Sequence, residues 1–143
     1  MKHNLIETKY IDNTYYTTIG TELGQFTGSV FCRPEDREMK SDYFGWTLAE
    51  IKAEIKYTKA KRREVLAKKE ALTRFLREMS QTRTYDPNAF WVKKIKIEIG
   101  DLDCKQHNLA HRIDNLKDSY HKAVVDFDAM KTKIKAIIGE TDG

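Results

Sequence analysis

From Val92 to Ile137 the chain places one class of residue at steps that alternate three and four. The positions are Val92, Ile95, Ile99, Leu102, Gln106, Leu109, Ile113, Leu116, Tyr120, Ala123, Phe127, Met130, Ile134 and Ile137. Gln106 is the one strongly polar member. An α-helix turns about every 3.6 residues, so this spacing puts a single stripe along one side of a long helix and leaves room for a second helix against it. The stripe constrains architecture far more than chemistry.

A second seam precedes it: Leu48, Ile51, Ile55, Thr58, Arg62, Val65, Lys69, Leu72, Leu76 and Met79. Thr47 and Glu50 match a capping box, which starts this helix at Thr47, although Gly45 allows an earlier start. Asp86-Pro87 reads as N-cap and first residue of the next helix, and Gly139 as its end. Helices are therefore expected over 47–80 and 87–138, joined by a loop at 81–86. So short a loop makes them antiparallel. Met79 then meets Val92, Arg62 meets Leu109 and Leu48 meets Ala123, with Gln106 falling between Arg62 and Val65. Phe127, Met130, Ile134 and Ile137 overhang the first helix and call for cover by the β segment, a second copy of the chain, or both. Gly100, inside the second helix, should cost about 1 kcal/mol against alanine unless it permits close packing.

Residues 1–33 are different material, rich in Thr, Tyr, Ile and Gly. Phe26, Gly28, Val30 and Cys32 alternate with Thr27, Ser29 and Phe31, the mark of a half-buried strand. A second strand near 9–19 would pair with it as a hairpin turning between Gly20 and Gly24. Residues 34–46 form a polar connector, and Arg33-Pro34-Glu35-Asp36 at the junction suits a turn or one helical turn. The expected fold is mainly α with a small β part. It is one domain of 143 residues: an N-terminal β-hairpin, then a long antiparallel, coiled-coil-like helical hairpin, as a dimer or larger homo-oligomer.

No apolar run reaches the ~20 residues of a membrane span, and MKHNLIETKY lacks the apolar stretch of a signal peptide. Cys32 and Cys104 share no metal-binding or disulfide spacing, which fits a reducing cytoplasm. The net charge of +4 is uneven: residues 52–83 hold eleven Lys or Arg against four Asp or Glu. Such a segment attracts anions if its charges share a face.

The break in the two seams is the most informative local feature. Arg62 and Lys69 on one helix and Gln106 on the other could ligate a phosphate or carboxylate. Asp101 and Asp103 could instead pair with Lys69 while Arg62 reaches outward, or the layer could set register. At the hairpin tip, Arg83, Tyr85, Phe90 and Trp91 could stack a base and hold its phosphate, or Phe90 and Trp91 could cap the core. His107 and His111 have zinc-like spacing with Asp103 but fall on the outer face, so no metal is expected. No glycine-rich phosphate loop or nucleophile set is present, so neither an enzyme nor a cofactor is implied.

The segments FTGSVFCRPED (26–36) and GWTLAEIKA (45–53), within this β-then-two-helix layout, resemble small bacteriophage proteins, and among them the phage anti-Thoeris sponge proteins. That resemblance implies a non-catalytic, nucleotide-binding anti-defence protein of the host-cell cytoplasm. It would sequester cyclic ADP-ribose-type signals, or cyclic oligonucleotides, between protomers. It also implies Tyr85, Phe90 or Trp91 as stacking residues and Arg112 as a phosphate ligand, with Arg62 or Arg63 sharing that role because the positive charge sits on the first helix. A basic helical protein that binds nucleic acid or inhibits a nuclease, and a structural coiled-coil component, are the alternatives.

Overall fold

A computed structural model describes residues 3–39 and 41–142; Lys40, inside the expected connector, lies outside the described residues. Three strands come first, β1 (Asn4–Ile11), β2 (Thr14–Thr21) and β3 (Gly24–Phe31), followed by the helices α1 (Pro34–Arg37), α2 (Asp42–Met79) and α3 (Phe90–Asp142). The chain is mostly helical, with an antiparallel N-terminal sheet in the order β1-β2-β3. It divides into a sheet-bearing unit, which takes in the chain through Tyr57 and again from Asp114 onward, and a helical unit, Thr58–Ile113.

The expected hairpin is thus a three-stranded meander. The Thr- and Tyr-rich run at 9–19 is cut at Asp12 and Asn13, which take φ of 53° and 62°. Two successive residues at positive φ make the tight turn that matches strand twist, and Asp and Asn tolerate it better than most residues. The β2–β3 turn does lie where the glycines predict, with Thr21 opposite Gly24 at φ 116°. On β2, Tyr15, Thr17 and Ile19 are buried, while on β3 Gly28 and Val30 face the same side.

That inner face rests on α2. A Cβ added to Gly28 would lie 1.9 Å from the Ala49 carbonyl oxygen and 2.6 Å from the Ala53 nitrogen. Strand and helix backbones therefore touch through three small residues, and any side chain at 28 would force them apart. Around this contact two clusters fill the core: Tyr15, Val30, Cys32, Leu48 and Ala49, and then Ile19, Ala53 and Tyr57. Polar side chains around this core find backbone partners. Thr17 donates to the Trp46 carbonyl at 2.7 Å, Trp46 Nε1 to the Lys9 carbonyl at 3.2 Å, and Tyr10 to the Cys32 carbonyl at 2.7 Å.

α2 starts at Asp42, ahead of the expected capping box. Ser41 Oγ accepts the Phe44 N–H at 3.1 Å, whereas the Thr47 hydroxyl donates back to the Tyr43 carbonyl. Gly45 is compatible with the earlier start: a Cβ there would lie 2.4 Å from the Tyr15 ring, so glycine leaves room for that ring against the helix. The added turn gives Phe127 a partner, since Phe44 stacks on it at 5.2 Å and 23°. Phe127 is buried, while Met130 and Ile137 remain 45 % and 64 % exposed.

In the helical unit the seams predict burial well. Val65, Val92, Leu102 and Ile113 are buried, as are Thr58 and Gln106. The α2–α3 loop is longer than expected. Asp86 Oδ1 accepts the Asn88 N–H at 2.9 Å in a turn, and the Ala89 carbonyl takes the first helical bonds from Val92 and Lys93, both at 3.1 Å. Asp86-Pro87 therefore builds the approach to α3 rather than its first turn. At the far end the helix passes through Gly139 to Asp142. Among the described residues no helix is long and apolar enough to cross a membrane.

Candidate functional site

The polar layer of the helical unit is closed upon itself. Arg62 donates from Nε and Nη2 to Gln106 Oε1 at 3.2 and 3.1 Å. Gln106 Nε2 donates to Asp103 Oδ1 at 3.2 Å, and Lys69 Nζ donates to the same oxygen at 2.6 Å. Lys69 first, and Gln106 second, hold the Asp103 carboxyl below the usual carboxylate range. Arg62 thus turns toward Gln106 instead of reaching outward. The antiparallel register brings Arg62, Lys69 and Gln106 together, but Gln106 and Asp103 already engage the Arg62 and Lys69 groups that an incoming anion would use. A slip of one turn between the helices would part Arg62 from Gln106 and Lys69 from Asp103, so the layer is suited to marking register.

At the tip of the helical unit the expected aromatic residues separate into two roles. Trp91 packs edge-on against Phe75 at 6.1 Å and against Tyr85 at 6.4 Å. Tyr85 in this trio is half-buried, while Phe75 and Trp91 are 42 % and 39 % exposed. Phe90 differs. It is 80 % exposed, with Lys94 Nζ 5.9 Å from its ring centre. Lys93 and Ile97 lie three and seven residues on from Phe90, on the same side of α3, and both are exposed. Arg83 is exposed in the loop, and Arg112 lies half-buried on α3 with its Nε inside.

Lys93, Lys94 and Phe75 are not among the residues expected at this tip. Helical spacing from Phe90 would have found Lys93 and Lys94, whereas Phe75 sits outside both seams and gave no signal. His107 and His111 are exposed on the outer face of α3, with His107 Nε2 3.6 Å from Asp103 Oδ2. No protein-family model, curated protein or solved structure matches this chain.

The helical unit is also where the charge collects. Residues 58–113 hold fourteen Lys or Arg against seven Asp or Glu, which exceeds the net charge of the whole chain. Ion pairs such as Arg74–Glu70 at 3.3 Å and Lys68–Glu98 at 3.7 Å offset part of this. An exposed aromatic ring flanked by lysines, on a strongly basic element, can hold a flat ring on its face and an anion beside it.

Proposed function

We propose that this chain is a non-catalytic nucleotide-binding protein, whose contact surface is the Phe90, Lys93, Lys94 and Ile97 face of α3. The observation that carries this reading is the 80 % exposure of Phe90 on a unit with seven excess positive charges. Leaving a phenylalanine in water forgoes about 1.5–3 kcal/mol of burial, while stacking a base on an aromatic ring is worth about 1–3 kcal/mol. The lysines supply the charge that a phosphate requires.

On this reading the ligand is a small anionic nucleotide, such as a cyclic signal, held away from a host defence in the manner of the phage sponges. A single-stranded nucleic acid is the second source of the same chemistry, and the open, strongly basic surface favours it. The two sources separate by salt. Oligonucleotide binding should weaken steeply as salt rises, because many counterions are released, whereas a cyclic nucleotide should show a shallow slope.

Calorimetric titration of the full chain with a cyclic ADP-ribose-type nucleotide, a cyclic dinucleotide and a single-stranded oligonucleotide tests the proposal. Phe90→Ala should weaken the bound ligand by roughly tenfold or more. Binding that survives Phe90→Ala and Lys94→Ala unchanged, or no binding by any of the three, ends it. Self-association belongs to the same reading, since Met130, Ile137 and Ile138 are 45 %, 64 % and 46 % exposed near the end of α3. Sedimentation equilibrium should give a dimer that Met130→Lys weakens.

A further inference from the structure

His3, Glu50 and Glu54 meet in the sheet-bearing unit. His3 Nε2 lies 2.7 Å from Glu50 Oε1 and 3.4 Å from Glu54 Oε1. All three ligand atoms fall within 4.8 Å of one another. The side chains are 14 %, 33 % and 16 % exposed, so the cluster is sheltered without being sealed.

We propose that these three side chains bind a divalent transition-metal ion of the zinc class, independently of any nucleotide. Glu50 and Glu54 stand one turn apart on α2, where two carboxylates repel each other. Both bring a carboxylate oxygen to a single ring nitrogen. An ion between them would take one oxygen from each and the Nε2 lone pair. Zinc–nitrogen and zinc–oxygen bonds of about 2.0–2.2 Å put tetrahedral ligands about 3.3 Å apart. The Glu54 separation already has that value, and Glu50 needs to open by about 0.6 Å.

The donor set chooses the ion. Magnesium and calcium prefer oxygen ligands throughout, whereas an imidazole nitrogen favours zinc, cobalt and their neighbours. Three protein ligands leave a fourth position for water. The scaffold is firm on both sides. Ala49 and Ala53, beside the two glutamates, are the residues that α2 presses onto Gly28. His3 directly precedes Asn4, whose pairing with Gly20 begins the sheet. A site on elements held this way loses little freedom when it closes on an ion.

Titration of the full chain, stripped of metal, with Co²⁺ and then Zn²⁺ tests the proposal. One Co²⁺ per chain should bind with the visible absorption of a low-coordinate nitrogen–oxygen site, and Zn²⁺ should displace it. Glu50→Gln and Glu54→Gln, close in shape to the original, should each weaken binding roughly tenfold or more, since even an outer-shell partner carries about that much. His3→Asn, which keeps a polar side chain of similar size, should abolish the absorption. Replacing both His107 and His111 by alanine should change nothing. Circular dichroism of each metal-free variant checks the fold. Absence of saturable binding overturns the proposal, and so does binding that the His3 and glutamate variants leave intact.

Discussion

The sheet-bearing unit and the helical unit are held by different means. In the first, strand and helix meet backbone to backbone at Gly28, Ala49 and Ala53, and the Tyr15 ring fills the space that Gly45 leaves. In the second, apolar layers repeat along two helices and are interrupted by one hydrogen-bonded layer at Arg62, Gln106, Asp103 and Lys69. Shape admits one arrangement in the sheet-bearing unit. In the helical unit the apolar layers repeat, and the polar layer is the feature that distinguishes one register from the next.

The sharpest way to break this contrast is at Gly28. Gly28→Val should destabilise the chain by about 3 kcal/mol or more, because the clash is with backbone and cannot be relieved by a rotamer change. A urea melt reads the loss; a shift under about 1 kcal/mol would mean that the strand and helix do not touch as described.

A smaller loss is expected in the polar layer. Gln106→Leu removes the acceptor of Arg62 and should cost about 1–3 kcal/mol. Replacing Arg62 and Gln106 together by leucine should recover that loss, because an apolar pair of similar volume is as stable as a polar one or more so. Recovered stability with broadened amide resonances in an NMR spectrum would confirm a role in register. Sharp resonances would show that the layer is dispensable for alignment.

The response to pH compares two groups within the sheet-bearing unit. Arg37 donates from Nε and Nη2 to Asp42 at 3.0 and 3.1 Å, and Tyr15 donates to Asp42 at 2.8 Å. Arg37 first, then Tyr15, hold the Asp42 carboxyl below its ordinary value. Its contribution is present above the unfolded-state value and fades as pH falls through the lower folded one. Burial first, and then Asp42, raise the Tyr15 phenol above its ordinary value. That contribution is complete below about pH 10 and lost as pH rises beyond it. Asp42→Asn should flatten the acid limb of a thermal-melt series, and Tyr15→Phe the alkaline limb. An unchanged acid limb in Asp42→Asn would remove Asp42 from the account.

The mildest effect has the opposite sign. A Cβ at Gly100 meets nothing within 4 Å, so the glycine serves no close packing. Gly100→Ala should stabilise the chain by up to about 1 kcal/mol. A thermal melt that moved downward would point to a contact at this helix face.

The helical seams were readable because burial on a helix follows a period that the sequence displays. Val65, Leu102, Ile113 and Phe127 are buried as their spacing requires. Burial on β3 was readable from alternation in the same way. The β1–β2 turn was not, because Asp12-Asn13 lacks the glycine that usually marks such a turn. The early start of α2 was hidden for a related reason: Gly45 looks like an interruption until Tyr15 is seen lying on it. The polar layer was legible as a coincidence of two flaws, but its closure depended on Asp103, which belongs to neither seam. His3 with Glu50 and Glu54 was beyond reach, since nothing local joins residues separated by forty-seven positions.

The contact at Gly28 bears on ancestry as well as stability. Surface residues and even layers of the helical seams can drift, because volume can be redistributed among neighbours. Gly28 cannot change alone, and Ala49 and Ala53 cannot grow while it stays. A distant relative whose remaining residues have all been replaced should still carry a glycine in its third strand. It should also carry two small residues four apart on the helix that follows, and those three positions should change together or not at all.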